Sequence, residues 1–384
     1  MEEGITQGSI KLYHTGDLHL GLTFHSRPYP NNVREAVVKE RFKALEKMVD
    51  QANDYGCSLF VIAGDLFNKK TVSKSEVLRV TQILDRFSGD CIAILPGNHD
   101  YFDGVGDLWK NVSDNAPDNT LILMESRPYE LNEYGLDMVL YPAPCDAKHS
   151  PDHRVGWIAN LSQRPDARWH IGVAHGTIEG ISPDFDSSYF PVNIKTLEET
   201  GLDLWLFGHT HVPYPQQKEI RGHLFQYCGT PEPDGFRCLS QGQAWLTTLN
   251  DEIGEIISEA VETGTYLFNE CSWEVRSLEE LRQYKNKLLE HSPESQLVKL
   301  TISGLLSEED YESRHDILQE IKGNVFYLEL NDDDLKIEVT IELISREFTE
   351  GSFPAQLLTR LCQNPSDGDA LQKAYQMIQE VRLR

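Results

Sequence analysis

One pattern constrains this chain more than any other. Five times between Lys11 and Leu249, a short β-rich apolar run stops on a cluster of Asp, Asn, His or Gly: IKLYHT, LFVIAGD, IAILPGN, HIGVAHG and LWLFGHT. Runs of this length, alternating with helical patterns and polar loops, are the signature of an α/β domain. Between the first two runs, Val38, Phe42, Leu45, Val49 and Ala52 recur at steps of three and four, and Gly56 follows as a stop signal, which predicts an amphipathic helix. Every polar cluster falls at the C-terminal end of its run, where open α/β sheets place their ligand sites. Five loops are therefore expected to converge on one edge.

The clusters share a chemistry. Asp17 and His19 lie in GDLH, Asp65 in GDLFN, Asn98 and His99 in GNHD, His175 in VAHG, and His209 and His211 in GHTH. Mixed oxygen and imidazole donors of this kind suit Mn²⁺, Fe or Zn²⁺ better than Mg²⁺ or Ca²⁺, which prefer oxygen alone. A single His beside a strand is more often a structural residue, and each short motif arises by chance in many proteins. The ordered set, each member at a strand end, points to a metal centre. Gly64, Gly97, Gly176 and Gly208 flank the clusters where the backbone must turn tightly or approach a ligand. His14, inside the first run, is expected to make a structural hydrogen bond, and His25 lies close to the first motif. The stretch KKTVSK places Lys69, Lys70 and Lys74 just after the second motif, either as phosphate contacts or as a solvated loop.

With these motifs the chain resembles the calcineurin-like metallophosphoesterases, whose pattern runs D-x-H, G-D, G-N-H-[DE], H and G-H-x-H. The resemblance covers roughly residues 10–250 and implies a four-layer αββα sandwich of two packed sheets flanked by helices. Within that superfamily DLHLG, GDLF, GTPEPDGF and REFTEGSF are similar to the SbcD-type DNA repair exonucleases and the related YhaO-type proteins. The resemblance implies one metal on Asp17, His19, Asp65 and His211 and a second on Asp65, Asn98, His175 and His209, with Mn²⁺ first and Fe, Zn²⁺ or Mg²⁺ as alternatives. It gives His99 the role of contacting the scissile phosphate or protonating the leaving oxygen. Asp100 either orients His99 or is a turn residue. Asn68 departs from the His or Asp that related nucleases carry and leaves the substrate open. The implied partners are DNA, a coiled-coil ABC-type ATPase of the SbcC kind and a second copy of the chain. A small phosphoester such as a nucleotide, or a regulatory metal-binding role without turnover, are the alternatives.

The remaining sequence sets the frame. At 384 residues the chain exceeds one growing core, and the expected division is 1–263 for the phosphoesterase domain, 264–345 for a small α+β module and 346–384 for a helical tail. In the module, strands are expected at Leu297–Ile302, Val325–Leu330 and Lys336–Glu342. A helix is expected at Ser307–Lys322, opened by a capping box of Ser307 and Asp310, and a turn at Asn331–Asp334. Ser352 and Asp367 are candidate N-caps in the tail. Leu371, Ala374, Tyr375, Ile378 and Val381 form a stripe that faces either the protein's own body or a partner. Net charge is −26, and residues 251–384 hold 13 Lys and Arg against 28 Asp and Glu. Affinity for a polyanion comes largely from basic side chains, so this acidity argues against DNA binding by the chain alone. The acidic, polar start lacks a secretory pattern. Seven scattered cysteines without a C-x-x-C spacing fit reduced thiols in a cytoplasm.

Overall fold

The structure is a computed structural model and describes residues 8–183, 187–238, 240–364 and 367–382; most of the acidic start, residues 1–7, lies outside them. Its contacts divide the chain into two units, Met1–Phe268 and Asn269–Arg384. The first unit contains β1 (Ile10–Thr15), β2 (Leu59–Ala63), β3 (Cys91–Leu95), β4 (Thr120–Ile122), β5 (Tyr129–Glu130) and β6 (Met138–Ala143). It continues with β7 (Trp169–His175), β8 (Leu204–Gly208), β9 (Glu219–Arg221), β10 (Phe225–Tyr227), β11 (Gln243–Asn250) and β12 (Glu255–Glu262). Its helices are α1 (Asn31–Asp54), α2 (Lys74–Leu84), α3 (Leu108–Asn115) and α4 (Ile194–Thr200).

These strands build a seven-stranded sheet, β4-β3-β2-β1-β11-β12-β9, and a five-stranded sheet, β10-β8-β7-β6-β5. Strand alternation explains how they stack. From β1 to β3, Leu12, Val61, Ala63, Ala93 and Leu95 share a core with Leu140, Ile171, Val173 and Leu206 of the second sheet. Their neighbours Tyr13, Phe60, Ile62, Ile92 and Ile94 join Phe42, Leu45, Met48, Val80, Leu84 and Trp109 of α1, α2 and α3. On the far side, Tyr141, Trp205 and Phe207 pack with Leu197 of α4. β2, β3 and β8 are buried on both faces, and β1 and β7 nearly so, which is why the runs are continuously apolar. The four-layer sandwich is present, with one short helix and loops as its last layer.

The five runs are shared between the two sheets: β1 to β3 lie parallel in one and β7 and β8 parallel in the other. The loops thus meet from two facing edges. Helix α1 buries Phe42, Leu45, Val49 and Ala52 as the periodicity predicts, while Val38 is only partly buried and Val33, Val37, Arg41 and Met48 extend the buried face. An arginine stands on the stripe that the apolar periodicity traced. Gly56, left-handed at φ 67°, ends the helix as its position predicts.

The second unit holds all but the first two residues of β13 (Leu267–Val275), together with β14 (Gln296–Leu306) and β15 (Tyr327–Ile337) in one sheet, with α5 (Leu278–Leu288) and α6 (Glu308–Asn324) packed around Leu281, Leu300, Ile302, Ile317 and Ile321. The expected turn at Asn331–Asp334 and separate strand at Lys336–Glu342 do not form. Asn331–Asp334 continue β15, where Thr301 pairs with Asn331 but Ser303 pairs with Asp334. The Asn331 side chain accepts from the Asp333 N–H. Local Asn turn chemistry is expressed as a β-bulge. Ser307 caps α6 through the Asp310 N–H, but the Asp310 carboxylate accepts from Leu278 N, so only half of the capping box exists. The tail has three helices, α7 (Ile341–Glu347), α8 (Phe353–Cys362) and α9 (Gly368–Arg382). Ser352 caps α8 through Ala355 N, whereas the Asp367 carboxylate accepts from the Asn364 side chain. Leu371, Ala374, Tyr375 and Ile378 pack on Ile344, Phe348 and Leu358, while Val381 is exposed. The seven cysteines are unbridged, and no helix among the described residues is long and apolar enough to cross a membrane.

Candidate metal centre

The loops after β1 and β2 are zipped together by their backbones. Asp17 N donates to Gly64 O, His19 N to Asp65 O, Leu20 N to Leu66 O and Asn68 N to Leu20 O, at 2.9–3.1 Å. Asp65 Oδ1 then accepts from His99 N at 2.8 Å. Asp17 Oδ2 accepts from His209 N at 2.8 Å, and His175 Nδ1 meets Ala63 O at 2.9 Å, so the bonds also cross between the two sheets. Asp17, His19, Asp65 and His209 all have positive φ, at 53°, 46°, 51° and 97°. Such conformations cost on the order of 1–3 kcal/mol each and persist where surroundings enforce them, typically at functional sites.

This backbone turns the side-chain donors inward. Asp65 Oδ2 lies 3.5 Å from His19 Nε2 and 3.4 Å from His175 Nε2. On the first side, Asp17 Oδ1 is 3.9 Å from both His19 Nε2 and His211 Nε2, and these two ring nitrogens face each other at 3.1 Å. On the second, Asn98 Oδ1 lies 2.9 Å from His175 Nε2 and 3.2 Å from His209 Nδ1. Asp17 Oδ1 is buried and has no hydrogen-bond partner among the described residues. A buried carboxylate oxygen without a donor is costly. Facing imidazole nitrogens beside it form a donor set that fits divalent cations.

Electrostatics among the protein's own groups at the centre follow from burial and from close pairs. Burial pushes the Asp17 carboxyl up to about 6. At Asp65 burial acts the same way, but the imidazoles of His175, His19 and His99 outweigh it and hold the group below the usual carboxylate range. Burial works against charging His175, yet Asp65 raises it to about 9. Burial, with His175 adding to it, lowers His209 to about 3. Protons in this site occupy positions that a cation would take, so cation binding releases them.

His99 is half-buried, edge-on to His19 at 4.8 Å between ring centroids, and its Nδ1 lies 3.1 Å from the carbonyl of Asn68. Asp100 does not orient it. Both Asp100 oxygens accept backbone bonds, from Gly97 N at 2.8 Å and Phe67 N at 2.9 Å, so the turn-residue alternative describes it, and burial raises its carboxyl to about 8. Asn68 reaches His99 through its main chain. Lys70 is paired with Asp103 and lies over the Tyr101 ring, Lys69 is exposed, and Lys74 opens α2. His14 meets Gln226 Nε2 at 3.3 Å, the structural bond expected of it, and His25 is exposed.

Several residues around the centre escaped the sequence reading. Arg41 is buried and donates to the carbonyls of Leu18, Glu232 and Asp17, tying the loop after β1 to the loop after β10. In that second loop, within GTPEPDGF, Asp234 Oδ2 lies 3.1 Å from His211 Nδ1. Tyr189 lies tilted against His209, and His149 against Tyr189, with ring centroids 4.8 and 4.9 Å apart. A carboxylate near a ligating His is a general signal, but spacing alone did not bring Asp234 to His211.

Residues 10–213, more than half of the chain, match the family described as calcineurin-like phosphoesterase. The chain belongs to that family. Members of the calcineurin-like phosphoesterase family hold two divalent metal ions and hydrolyse phosphoesters. The chain is 26% identical over 208 residues to the uncharacterized metallophosphoesterase YhaO of Bacillus subtilis, covering 53% of this chain and 48% of that protein. It is 25% identical over 244 residues to the DNA double-strand break repair protein Mre11 of Methanopyrus kandleri, covering 58% and 49%. The chain thus spans about half the length of these curated relatives. Among solved structures, TT1561 of Thermus thermophilus is similar with a TM-score of 0.41 and 13% identity, over 66% of this chain and 99% of that one.

Proposed function

We propose that this chain is a two-metal phosphodiester hydrolase acting on DNA. The observation that carries the two-metal reading is Asp65 Oδ2, poised between His19 Nε2 and His175 Nε2 at 3.5 and 3.4 Å. Asp17, His19 and His211 would hold one cation, Asn98, His175 and His209 the other, with Asp65 shared. Bound cations would lower the pKa of water and offset charge on the phosphoryl oxygens. The protein's own contribution is positional. The Asn68 carbonyl accepts the Nδ1 proton of His99, which leaves Nε2 to meet the scissile phosphate or the leaving oxygen. Mn²⁺ is the first candidate for both positions.

DNA as the substrate is supported by the similarity to a protein named for double-strand-break repair. The aromatic rings of Tyr189 and His149 beside His209 also offer faces suited to a nucleobase. With a net charge of −26, the chain needs a partner to supply basic surface, and we assign that role to a coiled-coil ATPase of the SbcC kind. Residues 346–384 would dock it, since Phe353, Met377 and Val381 are exposed. A homodimer in the cytoplasm completes the proposal. The acidity and the pairing of Lys70 with Asp103 favour a second reading, a small phosphoester substrate. Cleavage of labelled linear duplex, single-stranded DNA and bis-p-nitrophenyl phosphate with Mn²⁺ separates them. DNA cleavage, enhanced by the ATPase, is expected; turnover of the small ester alone, even with the ATPase, overturns the nuclease reading.

A further inference from the structure

His211 is one of the imidazoles of the centre that the core does not enclose. His175 is sealed in the core and His19 nearly so, but the His211 side chain is 30% exposed, so packing alone does not fix its ring. Its two nitrogens face opposite ways, Nε2 toward Asp17 and His19 and Nδ1 toward Asp234 Oδ2 at 3.1 Å. Asp234 is itself held, because Oδ1 accepts from the buried Cys238 thiol at 3.4 Å and Cys238 N donates to Gly235 O at 3.0 Å. The loop carrying them is anchored as well: Thr230 Oγ1 donates to the Asp17 and Glu232 carbonyls, and Arg41 donates to the Glu232 carbonyl.

We propose that Asp234 is a positioning residue that fixes the His211 ring through Nδ1, with Cys238 steadying its carboxylate, and so sets the affinity of one cation position without touching the other. The inference rests on the two-cation reading above. A carboxylate on the outer nitrogen of a ligating imidazole fixes the tautomer and strengthens the inner nitrogen as a donor, and its loss typically costs roughly 10–100-fold in metal affinity.

Titration of metal-free wild type, Asp234→Ala, Asp234→Asn, Cys238→Ser and His211→Ala with Mn²⁺, followed by calorimetry, tests it. Wild type should bind two equivalents. Asp234→Ala should weaken one of them by roughly 10–100-fold, the same equivalent that His211→Ala loses, while the metal-free melting temperature stays near wild type. Asp234→Asn, whose amide oxygen still accepts the ring N–H, should show a smaller loss in the same equivalent, and Cys238→Ser a smaller one still. If Asp234→Ala does not fold, Asp234→Asn decides alone. Two unchanged equivalents in the folded Asp234 variant overturn the inference while leaving the two-cation reading intact; weakening of both equivalents together also overturns it. Fewer than two equivalents in wild type would instead remove the reading beneath it.

Discussion

At the residue scale, His99 stands apart from the Asp, Asn and His side chains that converge at the centre, because a main-chain carbonyl holds its ring: Nδ1 faces Asn68 O, while Asp100 is turned to backbone N–H groups. His99→Ala is therefore expected to keep both cations and lose about 10²–10⁴-fold in kcat, measured as hydrolysis alongside metal content; a variant that loses metal instead would make His99 a ligand. The residue types that converge there were legible in the sequence as clusters at strand ends, GNHD among them, whereas their supports were not, because hydrogen bonds to main-chain carbonyls leave no pattern in residue type. Glu232 gives a pH test. It is buried, and burial raises its carboxyl from 4.5 to about 7 even though Tyr266 N and Thr265 N donate to it. A group raised on folding adds stability below its unfolded value and loses it as pH rises through the folded one. The metal-free protein should thus lose on the order of 3 kcal/mol from this group between pH 4.5 and 7. Glu232→Gln should lack that part of the slope, as read from denaturant midpoints at both pH values. Equal slopes would contradict the assignment.

At the element scale, apolar periodicity located the strands and α1, and it failed where another force set the conformation. On α1 four of the five traced residues, Phe42, Leu45, Val49 and Ala52, are buried, and only Val38 is not, because the buried face there takes Val37 and Arg41, whose guanidinium satisfies three carbonyls. In β15 the Asn331–Asp334 turn signal became a bulge because nine register pairs with β14 hold the strand straight through it. The strand-to-loop junctions are the most constrained elements. Gly64 has φ 93°, and a Cβ there would lie 2.1 Å from His175 Nδ1. Gly64→Ala must displace His175 or the loop. It is expected to destabilise the fold by about 1–3 kcal/mol and to weaken cation binding. A Gly64→Ala protein with wild-type stability and metal content would show that the junction yields.

At the scale of the whole molecule, two sheets of different strand order bring five distant loops to one place, an outcome the sequence pattern suggested but assigned to a single edge. Long-range organisation of that kind depends on which sheet each strand joins, and both sheets are built from similar apolar runs. Charge also acts at this scale. A chain of net charge −26 should bind DNA weakly by itself, because affinity for a polyanion comes from basic side chains that displace counterions. Addition of the ATPase is expected to raise cleavage near physiological salt; full DNA cleavage by the chain alone under those conditions would contradict the need for a partner. The central claim is that Asp65 joins two cations in one catalytic centre. Its most direct test is hydrolysis of bis-p-nitrophenyl phosphate as metal-free protein is titrated with Mn²⁺. Activity should reach its plateau at two equivalents, and Asp65→Ala should show neither the second equivalent nor turnover, whereas a plateau at one equivalent, or full turnover in Asp65→Ala, would contradict it.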